Sequence, residues 1–118
     1  MSMTAGGISA RDLLHDLIPK LKATESFVND TLVVMIDQAP PGEERLRRER
    51  QRQEFQLNLT MIRMNLKHLL KRHAHLLDEV SEADDLSPGQ MLKLDEHERV
   101  ALESARALYE QTQALQTR

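Results

Sequence analysis

LTMIRMNLKHLLKRHAHLLDEV, residues 59–80, is the stretch whose reading decides the fold. Apolar side chains stand at Leu59, Ile62, Leu66, Leu69, Leu76 and Val80, and His73 holds the one remaining place. The steps between these seven positions alternate three and four, which is a helical a/d seam sustained over three heptads. Leu57, Met61, Met64, Leu70 and Leu77 run beside it. A surface of that width exceeds what a two-stranded coiled coil buries. It predicts the central helix of a bundle, in contact with two or more neighbours.

Just upstream the character changes. From Glu43 to Glu54 every side chain is charged or amide except Leu46. Glu43–Arg47, Glu44–Arg48, Arg45–Glu49 and Arg50–Glu54 are spaced i, i+4, and each such pair adds only ~0.2–0.5 kcal/mol to a helix. The spacing predicts one helix from about Gly42 to Val80, roughly 55–60 Å long at 1.5 Å per residue. Its polar first turns then either project past the bundle or lie under another protein.

Ala39-Pro40-Pro41-Gly42 separates this helix from the one before it, because two prolines and a glycine stop a helix. Ser9 with Asp12 resembles a capping box. Leu14, Leu17, Leu21, Val28 and Met35 then recur at helical spacing, with Thr24 and Thr31 in step. They predict a first helix from about Ala10 to Ile36, kinked or restarted near Ile18 by Pro19. The β-branched Thr31, Val33, Val34 and Ile36 would suit a short strand, but no partner strand is evident, so helix is the prediction. Residues 1–8 read as a loose tail, and 9–118 as a single domain.

Downstream, two helix starts compete. Ser87, Pro88 and Gln90 supply a cap, an N1 proline and a capping-box amide, while Asp95 with Glu98 supplies a second box. The seam beyond reads Met91, Leu94, Ala101, Ala105, Leu108 and Leu115, with Glu98 and Thr112 filling the repeat. The fold class is therefore all-α: a three-helix antiparallel bundle, up-down-up, with a long central helix. Dimerisation or a partner would complete it if its wide apolar faces exceed what three helices cover.

Charge is uneven along the chain. The net charge of −3 divides into −2 over residues 1–40, +4 over 41–78 (nine basic, five acidic) and −5 over 79–118 (four basic, nine acidic). A basic middle between acidic flanks neutralises itself when the three segments pack side by side. The absence of cysteine excludes disulfides, thiol catalysis and Cys-based metal sites. Residues 1–8 carry no secretory pattern, and the longest apolar run, Leu32 to Ile36, is too short to span a bilayer. A cytoplasmic protein is expected, or a nuclear one in a eukaryote.

No pattern supports a catalytic site, a cofactor, a metal ion or a small-molecule substrate. His68-Leu69-Leu70-Lys71 resembles the H-x-L-K core of histidine-phosphotransfer domains, which are helical bundles of similar length. That resemblance covers four residues and implies a phosphoryl-accepting His68. Where the family carries glycine next, this chain has Arg72. His73 falls in the apolar seam, as a hydrogen-bonded core or boundary residue. The acids around His97 are explained by a capped helix start.

The expected function is a non-enzymatic helical protein–protein interaction module: an adaptor, a small chaperone or a scaffold subunit of a multiprotein assembly. Its partner, another protein or a second copy, would bind through Leu46, Phe55, Leu57, Met61 and Met64, with Arg47 and Arg48 beside them. Two alternatives are a nucleic-acid binder using Arg45, Arg47, Arg48, Arg50 and Arg52, and the phosphotransfer protein using His68. Against the first, these arginines alternate with glutamates around the helix, and Phe27, Phe55 and Tyr109 are the only aromatic residues available for stacking.

Overall fold

A computed structural model of the chain describes residues 6–77 and 91–117. A short strand, β1 (Gly7–Ser9), precedes a helical rod, α1, over residues 10–38. The central helix α2 is Glu43–Arg72, 30 residues and about 45 Å long. A second strand, β2 (Met91–Lys93), precedes α3 (Glu96–Gln116). Phe27 meets Phe55 edge to face at 6.5 Å and Arg45 reaches the Asp37 carbonyl, so α1 and α2 run antiparallel. His68 meets Glu98 while Arg50 and Leu115 line one cleft, so α2 and α3 are antiparallel too. This is the up-down-up bundle, 51 × 28 × 20 Å overall.

The expected seam of α2 is the core. Leu59, Ile62, Leu66 and Leu69 are all buried, against Leu13, Leu17, Val28 and Leu32 of α1 and Ala101, Leu102, Ala105 and Leu108 of α3 in one apolar cluster. Small side chains at Ala101 and Ala105 let α3 approach closely. Met91, expected in the α3 seam, is exposed, and Leu92 is buried instead because the strand has period two. Val80 and the alternative helix start at Ser87 lie outside the described residues. The box at Asp95 is the one seen: the Asp95 carboxylate accepts from the Glu98 N–H, and the Glu98 carboxylate accepts from the Asp95 N–H.

Two expectations are corrected and a third is given its form. First, Gly7 and Ile8 do not belong to a loose tail. β1 pairs antiparallel with β2, Gly7 opposite Lys93, and Ile8 is fully buried. A Cβ on Gly7 would sit 2.9 Å from the Leu92 carbonyl oxygen, so glycine permits the close approach. This ribbon ties together the starting ends of the parallel pair α1 and α3.

Second, the restart expected near Ile18 is a change of helix type: α-helix resumes at Ile18, with Pro19 in its first turn. A π-helical turn, Leu13–Leu17, precedes it, and the Ile18 N–H donates to the Leu13 carbonyl five residues back. The widened turn accommodates the donor that proline lacks, so the helix continues. A second π-turn, Phe27–Thr31, follows. Each inserts a residue into the helical period, so the buried line becomes Leu13, Leu17, Leu21, Thr24, Val28 and Leu32, while Thr31 is exposed and Leu14 and Met35 are half-buried.

Third, α2 ends at Arg72 rather than Val80. His73 has φ −116° and ψ 20°, and its Nε2 lies 3.1 Å from the Lys93 carbonyl oxygen. Helical conformation resumes over residues 74–77 on a shifted phase, so Leu77 is buried where Leu76 was expected. Nor does the polar stretch 43–54 stand alone. α1 runs beside it, as the contacts of Arg45 with Asp37 and of Arg52 with Val28 show.

Candidate functional site

Among the described residues, the most highly connected polar group is the carboxylate of Glu98, whose side chain has no exposed surface. As the third residue of α3 it accepts the Asp95 N–H on Oε1 at 2.9 Å. Arg72, the last residue of α2, donates to Oε1 at 2.5 Å and to Oε2 at 3.3 Å, and also to the Lys93 carbonyl at 2.7 Å. His68, one turn earlier, places Nδ1 3.0 Å from Oε2. Burial pushes the Glu98 pKa up, but the Asp95 N–H, the Arg72 guanidinium and His68 together outweigh it and hold the carboxyl below its ordinary range. The local sequence explains the arrangement: the D-x-x-E box fixes Glu98 at the helix start, and a basic helix end is brought against it by antiparallel packing.

His68, Asp95 and Glu98 place one ligand atom each within 4.8 Å of one another. Their chemistry does not suit a metal ion. The guanidinium of Arg72 already engages both Glu98 oxygens, so a dication would be held next to a fixed positive charge. His68 is 62% exposed at its side chain, with Nδ1 turned to Glu98. Arg72, at the position where phosphotransfer domains carry glycine, is committed to the same carboxylate.

A second region is the arginine run. Arg45 donates to the carbonyls of Asp37 and Ala39, at 3.2 and 2.7 Å, and so closes the end of α1. Arg52 donates through Nε to the Val28 carbonyl at 3.3 Å. Two of the five arginines thus serve the α1–α2 hairpin. Arg47, Arg48 and Arg50 line an open cleft of about 430 Å³ with Gln51, Glu54 and Leu115 of α3. Of the i, i+4 pairs expected here none forms. Among the described residues, the one ion pair within the run is Glu44–Arg47, at 3.9 Å.

A third region is the outer side of α2. Leu46 (51% exposed), Leu57 (73%), Met61 (38%) and Met64 (69%) all face solvent there. Leu57 lies two residues from both Phe55 and Leu59, roughly 160–200° around the helix from the core line. Phe55 is corrected: it was placed on the partner surface, yet it is buried against Phe27, because α1 extends far enough to cover it. Polar neighbours on this side turn inward. Asn58, Thr60 and Asn65 donate to the carbonyls of Glu54, Gln56 and Met61 in their own helix, each at 3.0 Å. The apolar side chains are left outermost.

The sequence reading leaves out three contributors. The sequence places Glu98 in the second capping box and in the α3 seam but not against α2; an acid in an apolar seam, facing a basic helix end, is the available signal. Lys67 and Lys71 are not among the docking residues expected from the sequence. Their signal is that no acidic residue occurs between Phe55 and Leu77. Among the described residues, no helix is long and apolar enough to cross a membrane. No protein-family model, curated protein or solved structure matches the chain.

Proposed function

We propose that this chain is a non-enzymatic helical interaction module, an adaptor, small chaperone or scaffold subunit, whose docking face is the outer side of α2. The observation that carries this reading is the exposure of Leu57, Met61 and Met64 at i, i+4 and i+7, opposite a core that is already complete without them. Apolar anchors at that spacing are how one helix presents itself to another protein. Exposed methionines add a surface that adapts its shape to the partner. A single exposed leucine would need no explanation; three aligned large side chains, with their polar neighbours folded away, do. The Glu98 centre supports the same reading in another way. It fixes the end of α2 to α3 and the ribbon, so the face is presented on a rigid rod.

The test compares two variants of the tagged full chain. Leu57→Asp with Met64→Asp should leave the melting temperature unchanged and abolish retention of the native partner. Arg47→Glu with Arg48→Glu should leave retention intact. Retention of the same partner by the first variant, or its loss from the second alone, would move the docking face to the arginine cleft. Loss of a concentration-dependent dimer in the first variant would identify the partner as a second copy.

A further inference from the structure

We infer that the outer face of α2 docks an amphipathic helix whose apolar ridge is followed by Asp or Glu side chains, matched to Lys67 and Lys71. This rests on the docking reading above and adds the chemistry of the partner. Lys67 and Lys71 continue the line of Leu57, Met61 and Met64 by one and two further turns, on the same side of the helix. Both are exposed, and among the described residues neither has an acidic partner. The remaining cations of this half of α2 are already engaged: Arg63 lies 3.9 Å from Glu25 of α1, and Arg72 is bound to Glu98. An apolar ridge running into two exposed ammonium groups, unpaired among the described residues, therefore has a polarity along the helix. A complementary partner helix carries acids at the Lys71 end and apolar side chains at the Leu57 end.

A second copy of the chain fits less well. The acids of its own outer α2 face, Glu43, Glu49 and Glu54, are interspersed with Arg47, Arg50 and Arg52. An antiparallel pairing centred on Met61 would set Lys71 opposite Gln51, between Arg50 and Arg52. An anionic membrane would supply the charge, but three separated side chains on a straight rod give it little to bury.

Two synthetic helical peptides, alike in their leucine ridge but with Glu or Lys flanks, titrated into isotopically labelled full-length protein, decide the matter. At about 0.05 M salt the Glu peptide should bind at least about tenfold tighter than the Lys peptide, and the ratio should shrink as salt rises. Lys67→Glu with Lys71→Glu should invert the preference. Leu57→Asp should abolish binding of both peptides, and the milder Met64→Ser should weaken it. Equal affinity for the two peptides, or a preference unmoved by the double reversal, overturns the acidic-partner inference. The docking reading survives that result if binding still depends on Leu57. Binding indifferent to Leu57 overturns both. Phosphatidylserine vesicles that bind through Lys67 and Leu57 when neither peptide does would overturn the helix in favour of a lipid surface. Self-association through the same residues that excludes the peptides would overturn it in favour of a second copy.

Discussion

The inner side of α2 carries Phe55, Leu59, Ile62, Leu66 and Leu69, all buried; the outer side carries Leu46, Leu57, Met61 and Met64, all exposed. Leu57 and Leu59 are the same residue two positions apart, at 73% and 2% exposure. Nothing intrinsic to leucine separates them. What separates them is that α1 and α3 both lie on one side of the rod, drawn together at their starting ends by the β1–β2 ribbon. The core side makes dense contact on two flanks, whereas the outer side is flanked by side chains of its own helix, of which Asn58, Thr60 and Asn65 turn back to its carbonyls and Lys67 and Lys71 stand exposed. The two lines of one helix thus divide the work, the first folding the chain and the second remaining available.

The largest expected difference lies between Leu69 and the outer line. Leu69 is fully buried, and Leu69→Ala should cost ~2–5 kcal/mol through lost burial and the cavity left behind. Denaturant melts of the purified protein measure it. A loss under ~1 kcal/mol would place Leu69 on the surface and invert the assignment of the two faces.

Next is the centre that pins the rod. Glu98→Ala removes the acid beneath Arg72 and the reciprocal half of the Asp95 box. Breaking a buried ion pair costs ~3–5 kcal/mol; Arg72 retains 40% side-chain exposure and can rehydrate, so about 2–4 kcal/mol is expected. The pH dependence has a definite sign. Because the folded-state pKa of Glu98 lies below the ordinary 4.5, its stabilisation is fully present above that value and is lost as pH falls through the folded-state value. Glu98→Gln should flatten this part of the acid limb when melts are compared between about pH 6 and pH 3. A parallel acid limb in the variant would show that Glu98 titrates alike in folded and unfolded chains.

Much of this was legible in the residues. The alternating three-and-four steps from Leu59 to Leu69 placed the core line, and the Asp95–Glu98 box placed the start of α3. The ribbon was not legible, because three residues carry no measurable period and the pairing of Ile8 with Leu92 joins distant parts of the chain. The end of α2 was hidden for a related reason: the heptad runs on through His73, and a contact with the Lys93 carbonyl, contributed by another element, is what breaks it. Phe55 was misplaced because its neighbours in sequence are polar. Its cover comes from Phe27, and the register that brings them together depends on two π-turns that no local pattern announces. Of the candidate docking residues, Leu57, Met61 and Met64 were visible as a second apolar line. Their exposure followed only once the positions of α1 and α3 were known.

A smaller effect divides the arginine run in the same manner. Arg45 closes the last carbonyls of α1, so Arg45→Ala should cost about 0.5–1.5 kcal/mol, the net range of an intramolecular hydrogen bond. Arg47, whose nearest acid is 3.9 Å away, should change stability by less than about 0.5 kcal/mol when truncated. Equal losses at the two positions would mean that the run acts through its total charge rather than through the hairpin closure.

The smallest stability effect belongs to the outer face, and it is the most informative about function. Leu57→Ala and Met64→Ala remove side chains that are 73% and 69% exposed. In an isolated chain they should change stability by no more than about 0.5 kcal/mol, as surface substitutions do. The same truncations should weaken partner binding by more than about 1 kcal/mol each if they are anchors, because anchors lose their burial only in the complex. Melts and binding measured on the same protein preparations separate the two quantities. A stability loss above ~1 kcal/mol at Leu57 would mean that the face is already covered in solution. Repeating the melts over a hundredfold range of concentration then identifies the cover. A midpoint that rises with concentration assigns it to a second copy. A fixed midpoint assigns it to this chain's own residues, and the outer line of α2 would then belong to the fold after all.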